Sequence, residues 1–84
     1  MMEKISSPSP TELVDLTGYS LLLRFDNGEL RRFDAEPYLA DAYFAPLRNR
    51  VLLAAARCNG LTLEWPGGID ICPDELYVNS VPAD

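Results

Sequence analysis

The chain has no histidine, and only two cysteines, Cys58 and Cys72, in 84 residues. Without an imidazole, a nucleophilic triad of the usual form is excluded, and neither thiol has an evident base beside it. Two thiols cannot close a zinc site unless carboxylates complete it. They also do not make the dense framework of a small secreted disulfide protein, so both read as small, half-buried apolar residues. Long apolar runs are missing too. The longest, Val51 to Ala56, is six residues, against roughly 20 for a membrane-spanning helix. No apolar stretch follows Lys4 near the N-terminus, so no signal peptide is expected and a cytoplasmic location is. Gly67-Gly68 belongs to neither G-x-x-x-x-G-K-[ST] nor G-x-G-x-x-G, which excludes the familiar phosphate loops.

Basic residues are scarce in one half. Every lysine or arginine except Lys4 lies between Arg24 and Arg57, whereas the chain from Gly60 onward holds acids only, within a net charge of −6. An acidic whole argues against nucleic acid as partner, because that binding rests on neutralising phosphates. A basic middle facing an acidic end suits a protein partner or self-association better.

What is present is enough for one small domain, with little core to spare. Residues 1–10 are polar and proline-bearing and are expected to be a flexible tail. A single α+β domain is expected over 11–80, with a C-terminal tail over 81–84. Thr11 to Leu16 can serve as a first strand, and Gly18 marks a turn.

Asn27-Gly28 lies between two apolar runs and predicts a two-residue type I′ hairpin over about 19–34. That register sets Leu23 opposite Arg32 and Leu22 opposite Phe33. It leaves Leu22 and Phe33 on the outer face with Arg24 and Arg31. A second pair, Asn59-Gly60, predicts a hairpin over about 54–65 with Cys58 opposite Leu61, Arg57 opposite Thr62 and Ala54 opposite Trp65. Its inner face would carry Leu61, Leu63 and Trp65, and its wet face Arg57, Thr62 and Glu64.

Short helices are expected near 37–42 and 45–50, where Pro37 and Pro46 suit first helical turns, and near 73–79 after Pro73. A helix from Ala45 to Arg57, rich in Ala, Leu and Arg, competes with the second hairpin. Trp65 is expected in the core, since so small a chain needs its largest side chain buried.

Three stretches, L-L-L-R-F-D-N-G-E-L-R-R-F-D (Leu21 to Asp34), F-A-P-L-R-N (Phe44 to Asn49) and L-T-L-E-W-P-G-G-I-D-I-C-P-D-E-L-Y (Leu61 to Tyr77), stand out together. They resemble the domain-of-unknown-function family 2442, a family of small bacterial proteins. The resemblance implies a small antiparallel α+β domain. Some relatives carry a helix-turn-helix segment after this domain, which implies a regulatory role. Others resemble partners encoded beside small toxin-like proteins, which implies an antitoxin-like one. It implies no catalytic residues.

The leading expectation is a non-catalytic protein-interaction or regulatory module without a cofactor. Its partner surface would be Arg24, Arg31, Leu22, Phe33 and Arg57, and the partner would be another protein or a second copy. The competing expectation is a divalent-metal-binding domain or hydrolase using the carboxylates Glu64, Asp70 and Asp74. The ordinary alternatives are that Asp74 answers the dipole of the helix it opens, and that Asp70 serves a turn.

Overall fold

The computed structural model describes residues 7–83. Its two antiparallel sheets and short helices make the α+β class expected. The first sheet is a meander of β1 (Pro10–Thr17), β2 (Ser20–Phe25) and β3 (Leu30–Asp34), closed by the late strand β7 (Ser80–Pro82) beside β3. The second is β4 (Arg57–Cys58), β5 (Leu63–Trp65) and β6 (Ile69–Ile71). Between them run 3-10 helices at Glu36–Ala40 and Ala45–Arg48 and the single turn α1 (Arg50–Leu53). Helix α2 (Pro73–Val78) precedes β7.

The boundaries of the expected tails move. Residues 1–6 lie outside the described residues, but the Asp26 N–H donates to Ser9 O, the Ser9 N–H donates to Asp26 Oδ1, and Pro10 is buried at the start of β1. At the other end Val81 and Pro82, expected in a tail, pair with Arg32 and Arg31 as part of β7.

The first hairpin forms where Asn27-Gly28 predicts it, with a different turn. The Gly28 N–H donates to Phe25 O and the Phe25 N–H to Glu29 O, each at 2.9 Å. Only Gly28 takes a left-handed φ, of 90°, and no described residue other than glycine does. This is a three-residue loop with a glycine bulge, which needs one left-handed residue where type I′ needs two. Asn27 stays right-handed and uses its side chain to accept the Glu29 N–H at 3.0 Å.

That extra loop residue slips β3 by one. Leu23 opposes Arg31, Leu22 opposes Arg32 and Leu21 opposes Phe33. An odd slip turns every β3 side chain to the other face. Phe33 therefore points inward and is 1% exposed, correcting its expected place on the outer surface. The energetics favour this register. Burying Phe33 is worth about 1.5–3 kcal/mol, and the arginine that this register turns inward, Arg31, meets Ser80, Glu29 and the Tyr77 ring there.

The second hairpin also loops further than expected. Cys58 opposes Leu63 and Arg57 opposes Glu64, correcting the pairs Cys58–Leu61 and Arg57–Thr62. Asn59 fills the loop itself: its Oδ1 accepts the N–H groups of Leu61 (2.9 Å) and Thr62 (2.8 Å), an Asx-type turn. Here the slip is even, so faces survive: Leu63 and Trp65 stay inward, and only Leu61 moves to the exposed loop. The strand expected from Ala54 is absent. Asn49 caps α1 by accepting from Val51 and Leu52, and the chain turns at Ala54 and Ala55 before β4 begins. Trp65 does not oppose Ala54. Its indole N–H donates to Leu53 O at 3.0 Å, meeting one of the carbonyls that a helix end leaves open.

One core results. Leu21, Leu23, Phe25 and Phe33 from the first sheet meet Leu63, Trp65, Ile69 and Ile71 from the second. Leu39, Leu47, Leu53 and Leu76 from the helices fill the space between. We expect Phe33→Ala to cost about 3–5 kcal/mol in urea unfolding, and Leu22→Ala on the outer face to cost less than about 1 kcal/mol. Equal, small losses at both positions would contradict the register.

Candidate functional site

Because the helices and the second sheet all join the core on the inner face, the outer face of the first sheet is left without a layer over it among the described residues. Register places Ser20, Leu22 and Arg24 of β2 there, with Glu12, Asp15 and Thr17 of β1, Leu30, Arg32 and Asp34 of β3 and Val81 of β7. Leu22 and Leu30 are half-buried by their neighbours, yet neither belongs to the core or packs against it. Val81 is 59% exposed. The two leucines and two arginines alternate, Arg24 opposite Leu30 and Leu22 opposite Arg32.

Among the described residues neither outer arginine forms an ion pair, although Glu12 stands opposite Arg24 across β1 and β2. Arg24 donates to the Gly28 carbonyl at 3.3 Å and Arg32 to Ser20 Oγ at 3.3 Å. The single ion pair among the described residues is Arg31–Glu29. Arg24 also borders a groove of about 500 Å³ at the hairpin tip, shared with Gly28, Glu29, Leu30, Arg31 and Pro82.

The five expected contact residues thus separate. Leu22 and Arg24 do share the open face. Phe33 is core. Arg57 sits in the second sheet, opposite Glu64. Arg31 belongs to the inner side, where it ties three elements together. Its Nε donates to Ser80 Oγ (2.7 Å), Nη2 to Ser80 O (2.9 Å) and Nη1 to Glu29 Oε1 (3.0 Å). Its guanidinium lies 4.2 Å from the centre of the Tyr77 ring, a favourable cation–π geometry. Tyr77 in turn donates to Glu29 Oε1 at 2.7 Å. That hydroxyl, and after it Arg31, hold the Glu29 carboxyl below the ordinary range against the opposing effect of burial. Arg32, Leu30 and Val81 complete the face; sequence reasoning missed Arg32 and Leu30 because their direction depends on the one-residue slip, and Val81 because it was expected in a tail.

Both edges of this sheet resist further strands. β1 begins at Pro10 and carries irregularities between Pro10 and Glu12 and between Leu13 and Asp15. β7 is three residues long and ends in Pro82. Prolines, bulges and brevity are the usual protections of a sheet edge.

The expected carboxylate set does not converge. Glu64 opposes Asp70 across β5 and β6, but Asp74 lies in the first turn of α2, and its Oδ1 accepts the Ser7 N–H. No three Asp, Glu, Cys or His among the described residues are grouped to hold a metal ion. Asp70 is occupied by Tyr43, whose hydroxyl lies 3.2 Å from Asp70 Oδ1 and accepts the Asp70 N–H at 3.0 Å. Burial, and after it the charge of Glu12, push the Cys58 thiol up, which disfavours the reactive thiolate. No helix among the described residues is long and apolar enough to cross a membrane.

The sequence model of one family, described as "Protein of unknown function (DUF2442)", matches residues 11–82. Neither a curated protein nor a solved structure matches the chain.

Two outcomes follow from this geometry. Arg31→Ala is expected to lower stability by about 1–3 kcal/mol, since its hydrogen-bonded charge and the partners it leaves are lost together, while Arg24→Ala stays within about 0.5 kcal/mol. Urea midpoints of the two variants compare them directly. The second outcome concerns Tyr38, which donates to Glu75 Oε2 at 2.7 Å. Burial first, then this carboxylate, push its phenol up to about 12. Above the ordinary phenol pKa of about 10 the unfolded chain ionises while the folded one does not. Stability should therefore fall as pH climbs from that value toward the folded one, and less steeply in Tyr38→Phe. Identical slopes would remove Tyr38 as the cause.

Proposed function

The chain belongs to the DUF2442 family, and we propose that it is a non-catalytic protein-interaction module that docks its partner on the outer face of its four-stranded sheet. One observation carries this reading: Leu22, Leu30 and Val81 form an uncovered apolar strip, bordered by Arg24 and Arg32, neither of which is ion-paired among the described residues. Uncovered apolar surface mixed with arginine is interface composition, and a sheet face normally gains a second layer. A regulatory or antitoxin-like pairing with another small protein is the setting proposed for it. A second copy of the chain is the other occupant that the strip would accept.

The test is capture from a native-host lysate on the tagged chain, compared with Leu22→Asp, which changes an outer side chain and should leave the thermal midpoint close to the parent's. We expect a protein retained by the parent and released by Leu22→Asp. Retention that ignores this substitution, or none at mild salt, overturns the reading. Sedimentation at micromolar concentration identifies a second copy if that is the occupant.

A further inference from the structure

Strand β7 is held unlike any other. Each of the remaining strands sends at least one side chain into the core or against it, whereas β7 sends none. Its one buried side chain, Ser80, is polar, and Val81 and Pro82 are exposed. Apolar burial, the dominant drive in folding, therefore does little to keep it in place. Its ladder is short as well. The Phe25–Glu29 bond continues the β2–β3 ladder through Leu23–Arg31 and Leu21–Phe33, so Leu30 and Arg32 turn their backbone groups toward β7. Among the described residues, the three pairs from Arg31–Pro82 to Phe33–Ser80 and the Ala83 N–H on Leu30 O join the two strands.

The rest of the hold is Arg31. Its Nε and Nη2 bond Ser80 through the hydroxyl and the carbonyl, and Ser80 Oγ donates onward to Tyr77 O at 2.7 Å. Glu29 and the Tyr77 ring fix the guanidinium in turn. Helix α2 closes before the strand begins. Leu76 is fully buried, and the Asn79 side chain donates to Glu75 O at 2.8 Å. β7 can thus part from β3 without unwinding the helix.

We infer that β7 is a strap that opens and closes on an otherwise intact fold, with Arg31 as its latch. Opening bares the N–H and C=O groups of Leu30 and Arg32, and it removes Pro82 from the wall of the groove at the hairpin tip. The bared row is a template for an extended segment. The protection of this edge therefore holds only while the strap is closed.

Amide hydrogen exchange of the full chain, followed residue by residue by nuclear magnetic resonance with and without low urea, tests it. Local opening exposes little surface, so exchange through it barely responds to urea, whereas exchange through global unfolding does. Arg32, Val81 and Ala83 are expected to be roughly tenfold or more less protected than Leu21, Leu23 and Phe33, with rates flat in urea. Phe33 is the internal control, on the same strand as Arg32 but with its N–H toward β2. Arg31→Gln, its fold verified from the same spectra, should lower protection at Arg32, Val81 and Ala83 by roughly a further tenfold, the worth of hydrogen bonds from a charged group. Ser80→Ala, which removes one latch contact and keeps the arginine, should act in the same direction and decides the point if Arg31→Gln does not fold. Equal protection along both edges of β3, or urea-dependent exchange at β7 in the parent, overturns the strap. Protection at β7 that neither variant lowers overturns Arg31 as its latch.

Discussion

The three-residue turn that ends at Gly28 governs the rest of the molecule. Its left-handed glycine sets β3 one residue further along β2 than a two-residue loop would. From that single offset come three placements. Phe33 enters the core, Arg31 reaches the inner rim where Ser80 and Tyr77 wait, and Arg24 and Arg32 alternate with Leu22 and Leu30 outside. A chain of this size has few large side chains to bury, so the loss of Phe33 from the core would be felt throughout.

Arg31 shows how a charged residue serves such a small fold. It is nearly enclosed, yet its ion pair, its bonds to Ser80 and its ring contact meet its donors on several sides. It links the hairpin tip to both α2 and β7, two elements far away in the chain. The arginines across the sheet have no such set of partners. That contrast between a committed and an uncommitted guanidinium is what separates framework from surface here.

Much of the fold was legible in the sequence, and the two hairpins explain where legibility stopped. Asn-Gly marks each reversal correctly, while loop length depends on hydrogen bonds that dipeptide identity does not encode. At Asn59 the error was two residues, and strand periodicity hid it: Leu63 and Trp65 kept their inward direction. At Asn27 the error was one, which inverted β3 and with it the expected roles of Phe33 and Arg31. The conflict was visible beforehand in Phe33 facing water. β7 left little trace, because three residues around a proline carry almost no periodic signal. Tyr43, capping the exposed N–H of β6, is a tertiary contact that no local pattern announces.

The late arrival of β7 has a consequence for how the protein is made. β1, β2 and β3 are neighbours in sequence and can pair soon after emerging from the ribosome. Their outermost partner comes only after the entire second sheet and α2 have been translated. Joining Asp34 to Ser80 closes a long loop, whose entropic cost rises only slowly with length but whose search delays completion. Until then β3 offers a bare row of backbone donors and acceptors to any neighbouring nascent chain, so docking of the last strand ends the interval in which misassembly is easiest.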